Sequence, residues 1–198
     1  MLKISSPPSP HSFAANTYII SNNGECAVID PTVPYNASLL EGALKYIILT
    51  HCHFDHILEL DAWAENSGCE VLISEGDAKG LSDPFVNCYM QFSGQSKGYH
   101  GRYRIVRDGE ELPLGDQMLK IISTPGHSPG SAVILCESDA FVGDTVFAGG
   151  GFGRFDLPGG DYRELCKSIK RILELPMNTV LYPGHGGKTT VSEYKRFR

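Results

Sequence analysis

Six consecutive residues, His51-Cys-His-Phe-Asp-His56, constrain this chain more than anything else in it. Four side chains able to hold a metal ion follow directly on a strand-like apolar run, Tyr46-Ile-Ile-Leu-Thr50. In extended backbone, residues two apart point the same way, so His51 and His53 can grip one ion. The turn into Ile57 swings Asp55 and His56 toward a second. Such a corner needs a scaffold that brings further ligands from distant parts of the chain.

The rest of the sequence supplies them. His127 lies in Ser123-Thr-Pro-Gly-His-Ser-Pro-Gly130 and His185 in Tyr182-Pro-Gly-His-Gly-Gly187, both on Gly/Pro loops after short apolar runs. Asp144, in Phe141-Val-Gly-Asp-Thr145, also follows an apolar run. Five of the seven histidines therefore stand at strand ends, where a rigid scaffold usually presents chemistry. His11 and His100 fall outside the pattern and read as surface or loop residues, with His100 on a segment from which it could meet a substrate.

The ordered set His51, His53, Asp55, His56, His127, Asp144 and His185 resembles the metallo-β-lactamase-fold hydrolases, over nearly the whole chain from Asn16 to about Thr190. The segments Gly143-Asp-Thr-Val-Phe-Ala-Gly149, Arg154-Phe-Asp-Leu-Pro-Gly-Gly-Asp161 and Tyr182-Pro-Gly-His185 are most similar to its glyoxalase II branch, the hydroxyacylglutathione hydrolases. The resemblance implies an αββα sandwich, two mixed β-sheets with helices on the outer faces. Periodicity alone gives only α/β or α+β. It further implies that His51, His53 and His127 hold one metal, that Asp55, His56 and His185 hold a second, and that Asp144 bridges them. Three imidazoles and a water suit zinc, while the Asp-containing second site also accepts iron or manganese.

The activity so implied is hydrolysis of a small acyl thioester by a metal-bridging hydroxide, with Asp55 at the reacting centre and no acylated side chain. Glyoxalase II enzymes carry an additional helical C-terminal domain for glutathione. This chain ends at Arg198, soon after the last ligand, so a glutathione-binding helical domain is not expected and discrimination for glutathione should be weak. A related branch, the persulfide dioxygenases, holds a single iron with the counterparts of His51, His127 and Asp144, and is the principal alternative. RNA-processing nucleases of the superfamily and a non-catalytic metal-binding role rank below it. Lactamases of the fold carry Cys or Ser at the place of Asp144.

With 198 residues and 41% hydrophobic content, one domain spanning 1–198 is expected. A formal charge of −6 gives no general attraction to phosphate backbones, so no nucleic-acid partner is expected. No apolar run approaches the roughly 20 residues that cross a bilayer, and the first ten residues lack the apolar core of a secretory signal, which points to the cytoplasm and no membrane partner. Cys26, Cys52, Cys69, Cys88, Cys136 and Cys166 include no C-x-x-C pair and read as free thiols. Strand alternation turns Cys52 away from the metals into the packed scaffold.

Along the chain, Asn16–Ser21 and Glu25–Asp30 read as a hairpin around Asn22-Asn-Gly24. A short helix is expected from Asn36 to about Lys45, a strand over Tyr46–Thr50, a helix over Ile57–Asn66 and a strand over Glu70–Ser74. Ser82 to Arg102, broken by Pro84, Gly94, Gly98 and Gly101, reads either as a substrate-facing flap or as a surface loop pinned by its aromatics. Strands follow near Tyr103–Val106, Met118–Ser123, Ala132–Cys136 and Ala140–Val142. A helix over Asp161–Leu173 buries Leu165, Ile169 and Ile172, and Thr179–Tyr182 is the last strand. Arg154 and Asp156 read as a structural ion pair, and Gly149–Gly153 as a tight turn that brings backbone near the metals.

Overall fold

A computed structural model describes residues 2–197. The first sheet is built from β1 (Lys3–Ser5), β2 (Tyr18–Asn22), β3 (Glu25–Ile29), β4 (Ala43–Ile48), β5 (Glu70–Ser74) and β6 (Tyr103–Val106), in that spatial order. β1, β2 and β3 pair antiparallel, whereas β3 to β6 run parallel. The second sheet contains β7 (Glu111–Leu114), β8 (Gln117–Ser123), β9 (Ala132–Cys136), β10 (Asp139–Gly143), β11 (Val180–Pro183) and β12 (Thr189–Thr190), again in sequence order. Only β10 and β11 are parallel there. Both sheets are thus mixed.

Alternating side chains divide the apolar residues into three layers. Ile20, Ile29, Ile48 and Leu72 of the first sheet meet Leu119, Ile121, Ile134 and Phe141 of the second. On the outer face of the first sheet, Ile47, Leu49, Val71 and Ile73 pack against Leu60 and Trp63 of α1 (Leu60–Ser67). Ala78 of the short helix α2 (Glu75–Ala78) and Tyr89 of α3 (Tyr89–Ser93) join the same cluster. On the outer face of the second sheet, Val133, Ala140, Val142 and Leu181 cover Leu165, Ile169 and Ile172 of α4 (Tyr162–Leu173), with Tyr194 of α5 (Val191–Lys195). Strands buried on both faces read as continuous apolar runs, which is why β4, β9 and β10 are conspicuous in the sequence. The result is the expected αββα sandwich, the metallo-β-lactamase fold.

Two local expectations fail. The stretch Asn36–Lys45 forms one 3-10 turn, Ala37–Leu39, in which the Asn36 side chain accepts the Ser38 N–H, and strand β4 already begins at Ala43. A parallel partner supplied by β3, with Glu25 opposite Ala43, outweighs the weak helical pattern. The helix expected over Ile57–Asn66 starts at Leu60, because Phe54–His56 is a 3-10 turn that turns the ligand corner. α4 meets its expectation and is capped by Asp161, whose side chain accepts the N–H groups of Arg163 and Glu164.

The segment from Ser82 to Arg102 is pinned by its aromatics, the second of the two readings offered for it. Asn87, fully buried, donates to the Leu81 and Lys97 carbonyls and its own carbonyl accepts the Phe54 N–H, so the loop is tied to the ligand corner. Tyr89 and Tyr99 are buried as pins, while Phe85 and Phe92 stand exposed. No helix among the described residues is long and apolar enough to cross a membrane.

Candidate metal centre

All seven expected ligands converge on one place, each carried by a loop that follows a strand. His51, His53, Asp55 and His56 follow β4, His127 follows β8, Asp144 follows β10 and His185 follows β11. His51 Nε2 lies 3.2 Å from His127 Nε2, which lies 2.9 Å from His53 Nδ1. Nitrogens about 2.0 Å from a tetrahedral zinc stand about 3.3 Å apart, so this triangle matches one face of such a site. Asp55, His56 and His185 form a second group, with His185 Nε2 at 3.1 Å from Asp55 Oδ2. Asp144 lies between the groups: its Oδ2 is 3.7 Å from both His127 Nε2 and His185 Nε2, and its Oδ1 is 3.3 Å from His56 Nε2.

The cluster fits metal ions by a test independent of spacing. The Nε2 atom of His56 and Oδ1 of Asp144, which face each other across the second group, are buried without a hydrogen-bond partner. Buried polar atoms are nearly always satisfied, and orphans gathered in one cluster of imidazoles and carboxylates point to a cation.

Ring orientation follows from what lies behind the histidines. His127 Nδ1 is 2.7 Å from the Arg154 carbonyl, which can only accept, so Nδ1 carries the proton and Nε2 presents a lone pair to the centre. Asp30 Oδ2 does the same to His56 Nδ1 at 2.8 Å. The Thr50 hydroxyl spends its one proton on Asp30 at 2.6 Å, so at 3.1 Å it accepts from His51 Nδ1. A single buried carboxylate thereby sets two rings, directly and through a hydroxyl. Asp30 also accepts the Thr50 N–H and sits at φ +51, a left-handed backbone that Asp tolerates better than most residues.

A second carboxylate, Asp77 of α2, joins the loops that carry the first group. It accepts the Cys52 and Gly130 N–H groups and the Ser128 hydroxyl. Burial pushes its pKa up against those donors. Sequence reasoning passed over Thr50, Asp30 and Asp77, which are isolated in sequence. The available signals were Asp30 closing an apolar strand before Pro31, and an Asp in Glu75-Gly-Asp-Ala78 just after another strand.

Electrostatics follow the same layout. Burial opposes charge on His51, as do the neighbouring His56, His53 and His127 rings, and its pKa falls well below the ordinary histidine value. His53 falls to about 3 for the same leading reason, burial, reinforced by His127. Burial also disfavours the Asp144 carboxylate, yet His56, His127 and His185 hold it well below the usual carboxylate range. His51 and His53 are thus presented as neutral imidazoles beside an ionised Asp144, the protonation states that bind cations, whereas at His56 burial is outweighed by Asp30 and Asp144, which hold its pKa well above the ordinary histidine value.

Close backbone approach completes the cage. A Cβ on Gly184 would stand 2.3 Å from Asp144 Oδ1 and 2.6 Å from His56 Cε1, and one on Gly153 would stand 2.0 Å from the Asp144 carbonyl. The expected tight turn at Gly149–Gly153 therefore does bring backbone to the centre. Asn16 holds the last ligand loop through its side-chain amide, which donates to the Pro183 and Gly186 carbonyls. Cys52 is buried among apolar residues against Gly80, as alternation required, and all six cysteines are free.

A cavity of about 890 Å³ opens beside the cluster, reaching His53, Asp55, His127, Asp144 and His185. Tyr89, Phe92 and Lys97 from the Ser82–Arg102 segment form part of its wall. Arg154 and Asp156 pair through two contacts of 2.8 Å, with Arg154 over the Phe92 ring. His11, read as a surface residue, also lines this cavity, paired with Glu59. His100 does not; it lines a separate hollow with Asp61 and Glu65.

Residues 12–185 match the family model described as the metallo-beta-lactamase superfamily. The probable metallo-hydrolase YqgX of Bacillus subtilis is 33% identical over 184 residues, covering 89% of this chain and 87% of that protein. The solved structure of the BLEG-1 B3 metallo-beta-lactamase superposes with a TM-score of 0.87 at 31% identity, covering 99% of this chain and 97% of that one. TTHA1623 in a di-iron-bound form gives 0.80 at 27% identity, with 97% and 98% covered.

Proposed function

The chain belongs to the metallo-beta-lactamase superfamily, and on that premise we propose that it is a dinuclear metal-dependent hydrolase acting on a small acyl thioester, in the manner of glyoxalase II. The observation that carries this reading is the position of Asp144 Oδ2, equidistant at 3.7 Å from a ligand nitrogen of each donor group. The principal alternative is a mononuclear iron on His51, His127 and Asp144, as in the persulfide dioxygenases, which also show the H-C-H-x-D-H motif. The proposed ligands are His51, His53 and His127 for one ion, Asp55, His56 and His185 for the other, and Asp144 for both. Zinc suits the imidazole-rich first group, and iron or manganese are the alternatives.

Divalent ions held by these residues would supply an acidified water, its pKa lowered from about 15.7 to roughly 7, and a Lewis acid for the thioester carbonyl. The chain's own residues do the rest. Asp55 faces the cavity, and although burial resists its charge, the His185 hydrogen bond keeps its pKa below the ordinary value. It is therefore ionised at neutral pH, able to orient the attacking water and take its proton. The oxygen of that water forms the new C–O bond, the C–S bond breaks, and the proton ends on the departing thiolate. No side chain is acylated.

The test joins elemental analysis with a thioester panel including S-lactoylglutathione. Two metal ions per chain and turnover of thioesters support the reading, with little dependence of KM on the glutathione part. One tightly held iron with consumption of oxygen would replace it by the dioxygenase. Cys52→Ser is expected to keep kcat within about tenfold, at a stability cost of about 1–3 kcal/mol for burying the hydroxyl. Cys88, beside the cavity, is no better a nucleophile, because burial pushes its thiol up to about 11. An acyl-cysteine trapped by mass spectrometry would overturn the hydroxide route. The likeness to BLEG-1, described as a B3 metallo-beta-lactamase, favours β-lactams as a second reading, which the same assay with a penicillin and a carbapenem decides.

A further inference from the structure

The cavity wall beside the donor cluster has a composition that the chemistry at the cluster does not require. Phe54 stacks on Phe92 at 5.6 Å between ring centroids and meets Tyr89 at 5.5 Å. Leu58 extends this wall, and Phe147 and Leu157 stand on the cavity's lining as well. Phe13 and Phe92 line the cavity although they are 84% and 49% exposed. Aromatic surface left open around a concavity is the usual mark of a surface that a ligand covers.

Charge on the same wall is largely neutralised. His11 pairs with Glu59, and Arg154 with Asp156. Among the described residues, Lys97 is the one lysine or arginine of the wall outside any ion pair. A charged tripeptide such as glutathione, with two carboxylates and an ammonium, finds few partners here.

We propose that the physiological substrate is a thioester with a bulky apolar arm, an aromatic or medium-chain group, seated against Phe54, Leu58 and Phe92 with Phe13 closing the rim. The proposal rests on the thioesterase reading above and names the substrate class of that site. Burial of each methylene against this wall strengthens binding about three- to fourfold until the cavity is filled. Specificity then lies in the apolar arm, and the polar carrier contributes little.

The test uses the metal-loaded full chain and acyl thioesters of N-acetylcysteamine, an uncharged thiol, from acetyl to decanoyl. kcat/KM is expected to rise about threefold per methylene before levelling off. Phe92→Ala is expected to reduce the octanoyl-to-acetyl ratio about tenfold. Phe13→Ala, which removes a ring already in solvent and so cannot compromise the core, should reduce it in the same direction. Calorimetry with S-methyl and S-octyl thioethers of the same thiol reads the apolar arm without turnover. A flat or falling acyl series, together with equal thioether affinities, would overturn the proposal and leave the thioesterase reading intact. No cleavage of any thioester, with affinity still rising from methyl to octyl, would remove the thioesterase reading and keep the apolar-arm site.

Discussion

Alanine in place of His53 is expected to lower kcat on the best thioester by on the order of a thousandfold or more, equivalent to about 4 kcal/mol of transition-state stabilisation. His53 Nδ1 is 2.9 Å from His127 Nε2 in the tightest part of the first donor group. Removing that ring leaves two nitrogens where three imidazoles stood. Metal content should fall from two ions toward one, while His56, Asp55 and His185 retain the second. Asp144→Ala is expected to be more severe in stoichiometry, since its carboxylate serves both groups. The check is elemental analysis beside steady-state kinetics, with circular dichroism to show that the sandwich persists. Full metal content and undiminished turnover in His53→Ala would refute the assignment of the first group.

Asp30→Ala should damage the fold itself. The carboxylate is 2% exposed and serves the Thr50 N–H, the Thr50 hydroxyl and His56 Nδ1 at once. Deleting one partner of a buried hydrogen-bonded pair typically costs about 3–5 kcal/mol. For a chain of this size that corresponds to a fall in Tm of roughly 6–20 °C. Asp30→Asn separates stability from ring orientation: it keeps the shape but can turn an N–H toward His56 Nδ1, forcing the proton onto Nε2, the atom that faces Asp144. Metal affinity should then drop about 10–100-fold with a smaller thermal effect. Equal metal affinity in wild type and Asp30→Asn would show that the carboxylate does not control the tautomers.

The ligands were readable because each is conspicuous locally. Four lie within six residues, and His127, Asp144 and His185 each follow an apolar run on a Gly-rich loop. The supports behind them were not, because Asp30 and Asp77 reveal their roles only when Thr50, His56, Cys52 and Ser128 come within reach in three dimensions. Core strands such as β4 and β9 were legible from continuous apolar runs. The short strands β1, β7 and β12 were missed, since two to four residues with Pro113 or Thr189-Thr190 carry little periodicity and are held by neighbouring strands. The helix expected at Asn36–Lys45 failed for a related reason: a local pattern of one or two turns competes poorly with a waiting parallel strand.

Gly184 and Gly153 press backbone against Asp144 so closely that neither position can accept even a methyl group. The cage is consequently closed to gradual change from its own side. Phe92 on α3, and Lys97 and Phe13 on loops, by contrast, line the cavity with exposed side chains. On the proposed function, reaction and substrate preference are carried largely by different residues, with Phe54, inside the ligand motif, the point where they meet. Drift can exchange what is cleaved, residue by residue along the rim, without ever reopening the question of how it is cleaved.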